Sequence, residues 1–585
     1  YTWTVSGLPS GLSWSQVGDT VEISGTPDSG TAGTYSVDVT VTDSSSPAQS
    51  ASRTLQLVVN PAGGGATLKA DFEADSTYGK APLTVNFTDK STGNPTSWEW
   101  DFDNDGTVDS TDQNPTYTYS SPGWYTVKLT VSDGTSTDIC VKEMYIQVAG
   151  SIYYVDGVNG DDANGGTGWS DAFATIGKAL VVAGDYDLVL VADATYNETD
   201  LNFNGEKIYL RGVDHNTAGA QPVIDCQQAG RAFRFVSGET EDSVIDNFVI
   251  QNGKVEDTYG GAILCQNSSS PTIKNCVFQN NKAEDKDVFQ DEEYGGAIYC
   301  NASSPTLINC VFNNNSASMP GGAIFCDFSS PSIRRCSFSG NHAVCGGALY
   351  CYNSSDAEVV DCVFSGNTAS SDGGAIYCNH SAPNVTGCTF DDNSAENYGG
   401  AICCYYASPT ITNCVFSGNS ANSCNGGAVS CTYSDPSITN CTFSANSANW
   451  YGGAVDCHSS NPILNNCILW GDSTGKGGSE IYIADSGSSC TLNYCCVDNT
   501  GYDFGINVPT TAIDDSNNCI NQDPQFVDAA GGNYHLKDTS PCIDAGDNSL
   551  VPTAVDEDLD GNQRIVDGDN DGTPVVDIGA YEYLP

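Results

Sequence analysis

The sequence predicts an all-β chain in which a parallel β-helix follows two β-sandwich domains. Three observations predict it. The stretch from Gly295 to Ala317, GGAIYCNASSPTLINCVFNNNSA, recurs in close copies whose leading apolar positions are Ile263, Ile298, Ile324, Leu349, Ile376, Ile402, Val429 and Val455. Their spacings of 35, 26, 25, 27, 26, 27 and 26 residues match one β-helix coil, with one insertion, EDKDVFQDEEY, bulging from a loop. No apolar-periodic stretch suits a long helix, and Ser, Asn, Thr and 62 Gly fill the spaces between short apolar runs. The chain instead opens with alternating stretches such as TYSVDVTVTD and WYTVKLTVSDG, the period-2 pattern of half-buried strands.

A chain of 585 residues is too long for one ordinary core, which agrees with several domains or a repeat array. Lys plus Arg number 20 against 73 Asp plus Glu, a net charge of -53. That excess argues against nucleic acid or an anionic membrane surface as a direct partner and favours divalent cations. Acidity of this kind also serves solubility alone. Twenty-six cysteines point to export from the reducing cytosol. No run of 18 apolar residues predicts a membrane span, and neither end reads as a signal peptide, as in a mature chain or a fragment of a longer one.

Residues 1–61 contain YTWTVSGLPSGLSW, VEISGTP and AGTYSVDVTVTD, which resemble an Ig-like family of bacterial and archaeal surface proteins without its opening strand or two. The resemblance implies an incomplete β-sandwich whose open edge a neighbouring molecule could complete by donating a strand. After the linker NPAGGGA, residues 66–149 carry APLTVNFTD, SWEWDFDNDG and PGWYTVKLTVSDG. They resemble a PKD domain, an Ig-like β-sandwich spacer of extracellular proteins. Tyr125, Val127, Leu129 and Val131 are expected to alternate strictly, and Trp98 and Trp100 to pack rather than bind. Residues 151–500 form the expected β-helix. Ala172, Ile176, Ala179 and Leu180 share one helical face just before the apolar DLVLVAD. This opening resembles that of secreted right-handed parallel β-helix proteins, where such a helix covers the first coil. Residues 501–585 contain SPCIDAG and VDIGAYEY, which resemble the closing coils and C-terminal cap of bacterial and archaeal surface β-helices. The GGA[ILV]xC and FxxN pieces resemble the repeats of polymorphic outer-membrane proteins.

Stacked coils of three strands place equivalent residues about 4.8 Å apart. Phe278, Phe312, Phe338, Phe364, Phe390, Phe416 and Phe443 are expected to form one interior stack. Asn275, Asn309, Asn413, Asn440 and Asn466 are expected to form a turn ladder of bonded amides, interrupted by Arg335, Asp361 and Gly387, with a second Asn column from Asn281 to Asn446. Two cysteine columns point inward by parity: Cys265, Cys300, Cys326, Cys351, Cys378, Cys404, Cys431 and Cys457, then Cys276, Cys310, Cys336, Cys362, Cys388, Cys414, Cys441 and Cys467. The coil spacing lies within disulfide range, and buried thiols used as small hydrophobes are the rival reading. Cys345, Cys403 and Cys424 fall outside the columns as candidates for outer bonds, and Cys519 is a candidate partner for Cys542. Tyr299, Phe325, Tyr350 and Tyr377 line the outward side of the first strand, a stripe suited to sugar rings, to another subunit, or to cross-strand stacking.

Three DxDxDG strings, Asp101, Asp103, Asp105; Asp556, Asp558, Asp560; and Asp567, Asp569, Asp571, put alternate carboxylates on Gly-containing turns. Asp112 and Asp567 stand where an EF-hand-type loop places its closing acid. Ca²⁺ is the expected ion, and a solvated acidic turn the alternative. For function, the expectation is a non-catalytic extracellular structural protein, self-associating into a cell-surface layer, sheath or filament stabilised by disulfides and calcium. A carbohydrate-binding adhesin is the first alternative. A polysaccharide lyase or hydrolase is the second, since a lyase needs a basic residue on the outer face and a hydrolase two facing acids, and the repeats reveal neither.

Overall fold

The computed structural model describes residues 2–17, 20–25, 27, 33–42, 50–59, 68–285 and 293–585. The expected linker at 60–66 and residues 286–292 of the expected insertion lie outside the described residues. The chain divides into two compact units, Tyr1–Val148 and Ala149–Pro585.

In the first unit, strand Gly33–Thr42 pairs antiparallel with Thr2–Ser6 and Ser50–Val59, and Leu12–Val17 pairs with Thr20–Gly25. Residues 68–149 form a sandwich of a three-stranded and a four-stranded sheet. Its core is aromatic, with Phe72, Phe87, Trp100 and Phe102 all buried. Trp100 donates its indole N–H to the Asp112 carbonyl at 2.9 Å. Tyr125, Val127, Leu129 and Val131 face one core as expected, the last three buried in it and Tyr125 partly buried against it, and the register shift between Tyr125 and Val127 is taken up by extra residues on the partner strand, between Lys142 and Ile146.

The second unit is a solenoid. The expected three strands per coil are four. A 14-stranded sheet runs from Ile152–Val155 to Ile513–Asn517, a 12-stranded sheet carries the Phe column, and an 11-stranded sheet runs from Phe233–Phe235 to Tyr502–Phe504. The fourth has nine short strands such as Ser316–Ala317. Its inward Ala283, Ala317 and Ala343 are too small for periodicity to reveal. The solenoid strands pair parallel and in register along the repeats, as in Ile298↔Ile324 and Cys300↔Cys326. Helix Ile176–Val182 buries Ile176, Ala179 and Leu180, and the Thr175 hydroxyl caps its first turn by accepting from Lys178 N at 3.2 Å.

Inside the coils the columns form as spaced. The seven phenylalanines are fully buried, with rings stacked 4.6–4.9 Å apart. The two glycines of each GGA serve different needs: Gly295 takes φ +69°, whereas a Cβ on Gly296 would sit 2.2 Å from the Gly322 carbonyl of the next coil. The stronger amide ladder is the second Asn column. Each buried side-chain oxygen accepts both the backbone and the side-chain N–H of the preceding asparagine, as Asn367 does from Asn341 at 3.1 and 2.9 Å. In the first column the amides bond only locally: Asn309 to Asn275 and Asn466 to Asn440, while Arg335 fills its interruption by donating to Asn309 at 3.0 Å.

All 26 cysteines are free thiols. Both expected columns are buried, so the cysteines pack and hydrogen-bond rather than cross-link in this structure. In the second column the sulfur accepts the backbone N–H of the preceding coil's cysteine, as Cys362 does from Cys336 at 3.4 Å, and its S–H faces a carbonyl, that of Val360 at 3.2 Å. In the first column, burial pushes thiols such as Cys351 and Cys457 well above their ordinary range, which keeps them neutral. Cys495 and Cys519 extend this column past Cys467. The candidate pair Cys519–Cys542 therefore does not form: Cys519 belongs to the ladder, and Cys542 meets Cys496 in a separate cluster. Cys345, Cys403 and Cys424 likewise form no disulfide.

The solenoid continues to Ile513–Asn517, but the segment after it runs back along the outside of earlier coils instead of adding further ones. Phe526, Tyr534, Leu536, Cys542 and Ile578 pack on Val415, Ile468 and Cys496 of the Phe sheet's outer side. Asn466 exchanges bonds with Asp547, and Ala580 N donates to Thr442 Oγ1 at 3.1 Å. A buried Arg564–Glu582 ion pair of 3.3 Å holds the segment together.

Candidate functional site

The outward column of the 11-stranded sheet runs Arg234, Leu264, Tyr299, Phe325, Tyr350, Tyr377, Cys403, Ser430, Asp456 and Tyr482 in strand register. Tyr299, Phe325, Tyr350 and Tyr377 stack ring on ring at 5.0–5.5 Å, within 11° of parallel. The first three are only 4–7 % exposed, because Tyr259 and Tyr294 from the preceding loops lie over them. The stripe is therefore the floor of a groove, and its accessible walls come from residues that the strand pattern did not single out. Tyr406 and Tyr433 occupy successive turns at positive φ, stack at 4.7 Å and stand 46 % and 51 % exposed.

Three clefts follow one another along this face. The first, of about 400 Å³, holds Arg231, Arg234, Asp200 and Tyr259. Tyr259 is shared with the second, of about 350 Å³, which is lined mainly by Tyr294, Tyr299, Phe325, Tyr350 and Tyr352, with Asp327. The third, of about 360 Å³, joins Tyr377, Tyr398, Tyr405 and Tyr433 to Asp372, His458 and Asp485.

The third cleft is the chemically richest. Asp456 is fully buried and accepts from Ser430 Oγ at 3.1 Å and Asn425 Nδ2 at 3.3 Å, with His458 Nε2 at 3.3 Å. Burial raises its carboxyl above the ordinary range against those bonds. Burial alone would lower His458, but the hydrogen bond and charge of Asp456 outweigh it and the net shift is upward. Asp372 is raised by burial while accepting from Ser371 Oγ at 2.8 Å and Tyr398 N at 3.2 Å. Asp485, bonded by Ser459 N at 2.7 Å and Gly487 N at 3.0 Å, is held low despite partial burial. The cleft thus combines apolar ring faces with an oriented imidazole and carboxylates of different acidity, a lining suited to a polyhydroxylated ligand.

The acidic strings separate. Asp101 and Asp103 come together with Asp109, not with Asp105 or Asp112. The reason is a bridge between Trp100 and Ser110 that closes the loop early and leaves Asp112 beyond it. Asp105 instead accepts from Thr107 N. Burial and the charges of Asp105, Asp109 and Asp101 raise Asp103, a repulsion that a cation would relieve. Asp567 and Asp569 gather with Asp544 from the SPCIDAG stretch, while Asp571 turns to Thr573 N. Asp556, Asp558 and Asp560 form no such trio: Asp558 accepts from Asp560 N, Asn562 N and Glu582 N, and Asp560 pairs with His535 at 2.6 Å. A further trio joins Asp257, Asp285 and Glu293. Three oxygen donors at 4.8 Å or less fit a hard cation such as Ca²⁺.

Family models agree with this architecture. The right handed beta helix region matches residues 202–330 and 246–416. The second unit, Ala149–Pro585, carries a right-handed parallel β-helix. A PKD domain matches residues 67–148, an Ig domain residues 1–60, and the Chlamydia polymorphic membrane protein repeat residues 413–432. No curated protein matches the chain. Solved structures similar to this β-helix protein include the pectate lyase Pel9A, at 15% identity over 74% of this chain and 97% of that one, with a TM-score of 0.33. The XylC complex with xylose gives 9% identity over 74% and 98%, TM-score 0.37. The GH136 lacto-N-biosidase from Eubacterium ramulus gives 12% over 63% and 68%, TM-score 0.33. Likeness at this level carries no argument about activity. No helix among the described residues of the β-helix protein is long and apolar enough to cross a membrane.

Proposed function

We propose that this chain is a cell-surface protein that binds a saccharide chain along the outer face of its 11-stranded sheet. The observation that carries the reading is the run of clefts in which stacked tyrosines are followed by Asp372, His458 and Asp485, with His458 held from behind by the buried Asp456. Sugar rings offer apolar C–H faces to aromatic side chains and hydroxyls to carboxylates, and both are supplied here at a coil-by-coil repeat. Acids line the second and third clefts, so neutral sugars suit them better than polyanionic chains. The reading is binding without chemistry, and it makes the β-helix a rigid platform carried with PKD and Ig-like modules. A glycan array probed with the full chain should give saccharide hits. Substituting Tyr406→Ala or Tyr433→Ala should each weaken them by about 0.5–1.5 kcal/mol. Binding indifferent to both substitutions, or cleavage of the bound glycan, would overturn this account.

A further inference from the structure

The first cleft differs from the other two in charge. A chain with only 20 Lys and Arg against 73 acids places two arginines, Arg231 and Arg234, in one pocket. Arg231 is 8 % exposed, yet among the described residues its guanidinium makes no hydrogen bond or ion pair. Asp200 is close enough to be felt electrostatically but not bonded, and burial lowers Arg231 to about 10. The small part of Arg231 that stays accessible lines a space of about 400 Å³, so a planar fork of donors without a protein acceptor is left at the wall of the cleft. Arg234 adds a second, exposed guanidinium one strand position from Phe235, in register with Leu264 of the aromatic groove. Tyr259 forms a wall of both this pocket and the next cleft.

We propose that the Arg231–Arg234 pocket binds an oxyanion, the carboxylate or sulfate of a saccharide whose neutral rings lie in the adjoining aromatic clefts. The pocket gives the groove a direction: a charged residue sits at the arginine end, and neutral residues extend toward His458. The oxyanion supplies the missing acceptors for Arg231, and a bidentate pairing matches guanidinium geometry. The saccharide part of this proposal rests on the groove reading above, and the oxyanion part does not.

The test uses the full chain and two matched oligosaccharides, one neutral and one ending in a single uronate, with inorganic sulfate as a third probe. Calorimetry should show the uronate-terminated sugar binding tenfold or more tightly than the neutral one. R231Q should erase that difference without changing affinity for the neutral sugar, and R234Q should reduce it in part. Y433A should weaken both sugars equally. Sulfate should raise the melting temperature of the wild type more than that of R231Q, whose own fold is checked by the same melt. Equal affinity for the two sugars in the wild type would overturn the oxyanion site and leave the groove standing. Sulfate stabilisation that depends on Arg231, without any saccharide binding, would sink the groove reading and keep the oxyanion pocket. Sulfate effects identical in wild type and R231Q would overturn the pocket outright.

Discussion

At the scale of single residues, the most informative positions are those where the repeat changes its letter. The buried asparagine ladder ends at Asp472, whose Oδ1 accepts both N–H groups of Asn446 at 2.7 and 2.8 Å. Its neighbour Glu480 accepts from Gly471 N at 3.2 Å, and the second oxygens of the two acids have no other partner among the described residues. Burial raises both carboxyls, and the charge of Asp472 raises Glu480 further, so the pair keeps a proton at neutral pH. Groups whose folded pKa is raised stabilise the fold fully below their unfolded pKa, and that contribution is lost as pH rises through the folded value. The β-helix should therefore weaken from about pH 5 upward on account of this pair. E480Q, which removes the titrating charge and keeps the shape, should gain about 1 kcal/mol or more at pH 8 and flatten the pH dependence in thermal melts. An unchanged profile would mean that the pair does not share a proton.

At the scale of elements, the C-terminal segment shows how a motif can be legible while its partners are not. The strings at Asp556 and Asp567 look alike in sequence, but packing against the coils gives Asp558 to backbone amides and brings Asp544, 23 residues before Asp567, to the second loop. Calcium should stabilise this unit by about 2.7 kcal/mol at a hundredfold excess over the dissociation constant, and its melting temperature should rise accordingly. D544N should abolish the part of that effect due to this loop, whereas D556N should leave it intact. Equal responses would place the ion elsewhere. The same folding back explains the cysteines: Cys542 could not be matched to Cys496 from spacing, because the contact joins a late loop to the outside of an earlier coil.

At the scale of the molecule, the solenoid is a continuous stack with every coil bonded to the next through the backbone, reinforced along the repeats by amide and thiol ladders. Loss of one coil's bonds is then shared by its neighbours, and unfolding should be approximately an Ising-like process along the stack. Native-state hydrogen exchange should find the central coils, residues 298–444, slowest, with protection falling toward Ile513–Asn517, whose strand has a partner on one side only. Uniform protection from the first coil to the last would contradict this picture.

Much of the fold was legible because a β-helix writes its geometry into its period: inward Ile, Cys and Phe positions repeat once per coil, and parity decides their direction. The fourth strand was hidden because its inward residue is only alanine. The second asparagine column was visible, but its dominance was not, since buried and solvated amides spell the same. Of the groove, the floor of Tyr299, Phe325, Tyr350 and Tyr377 was visible as a stripe. Its walls were not, because Tyr259, Tyr406, Tyr433 and Asp372 lie on loops and turns outside the strand pattern.

The sequence by itself determined the coil, its inward columns and the two preceding sandwiches, because each follows from local periodicity repeated until it could not be accidental. Only the tertiary structure decided which acids meet, which thiols meet, and that an unpaired Arg231 opens beside stacked tyrosines. Those contacts join residues from different coils and loops, and side-chain meetings across such distances leave no periodic trace in the chain.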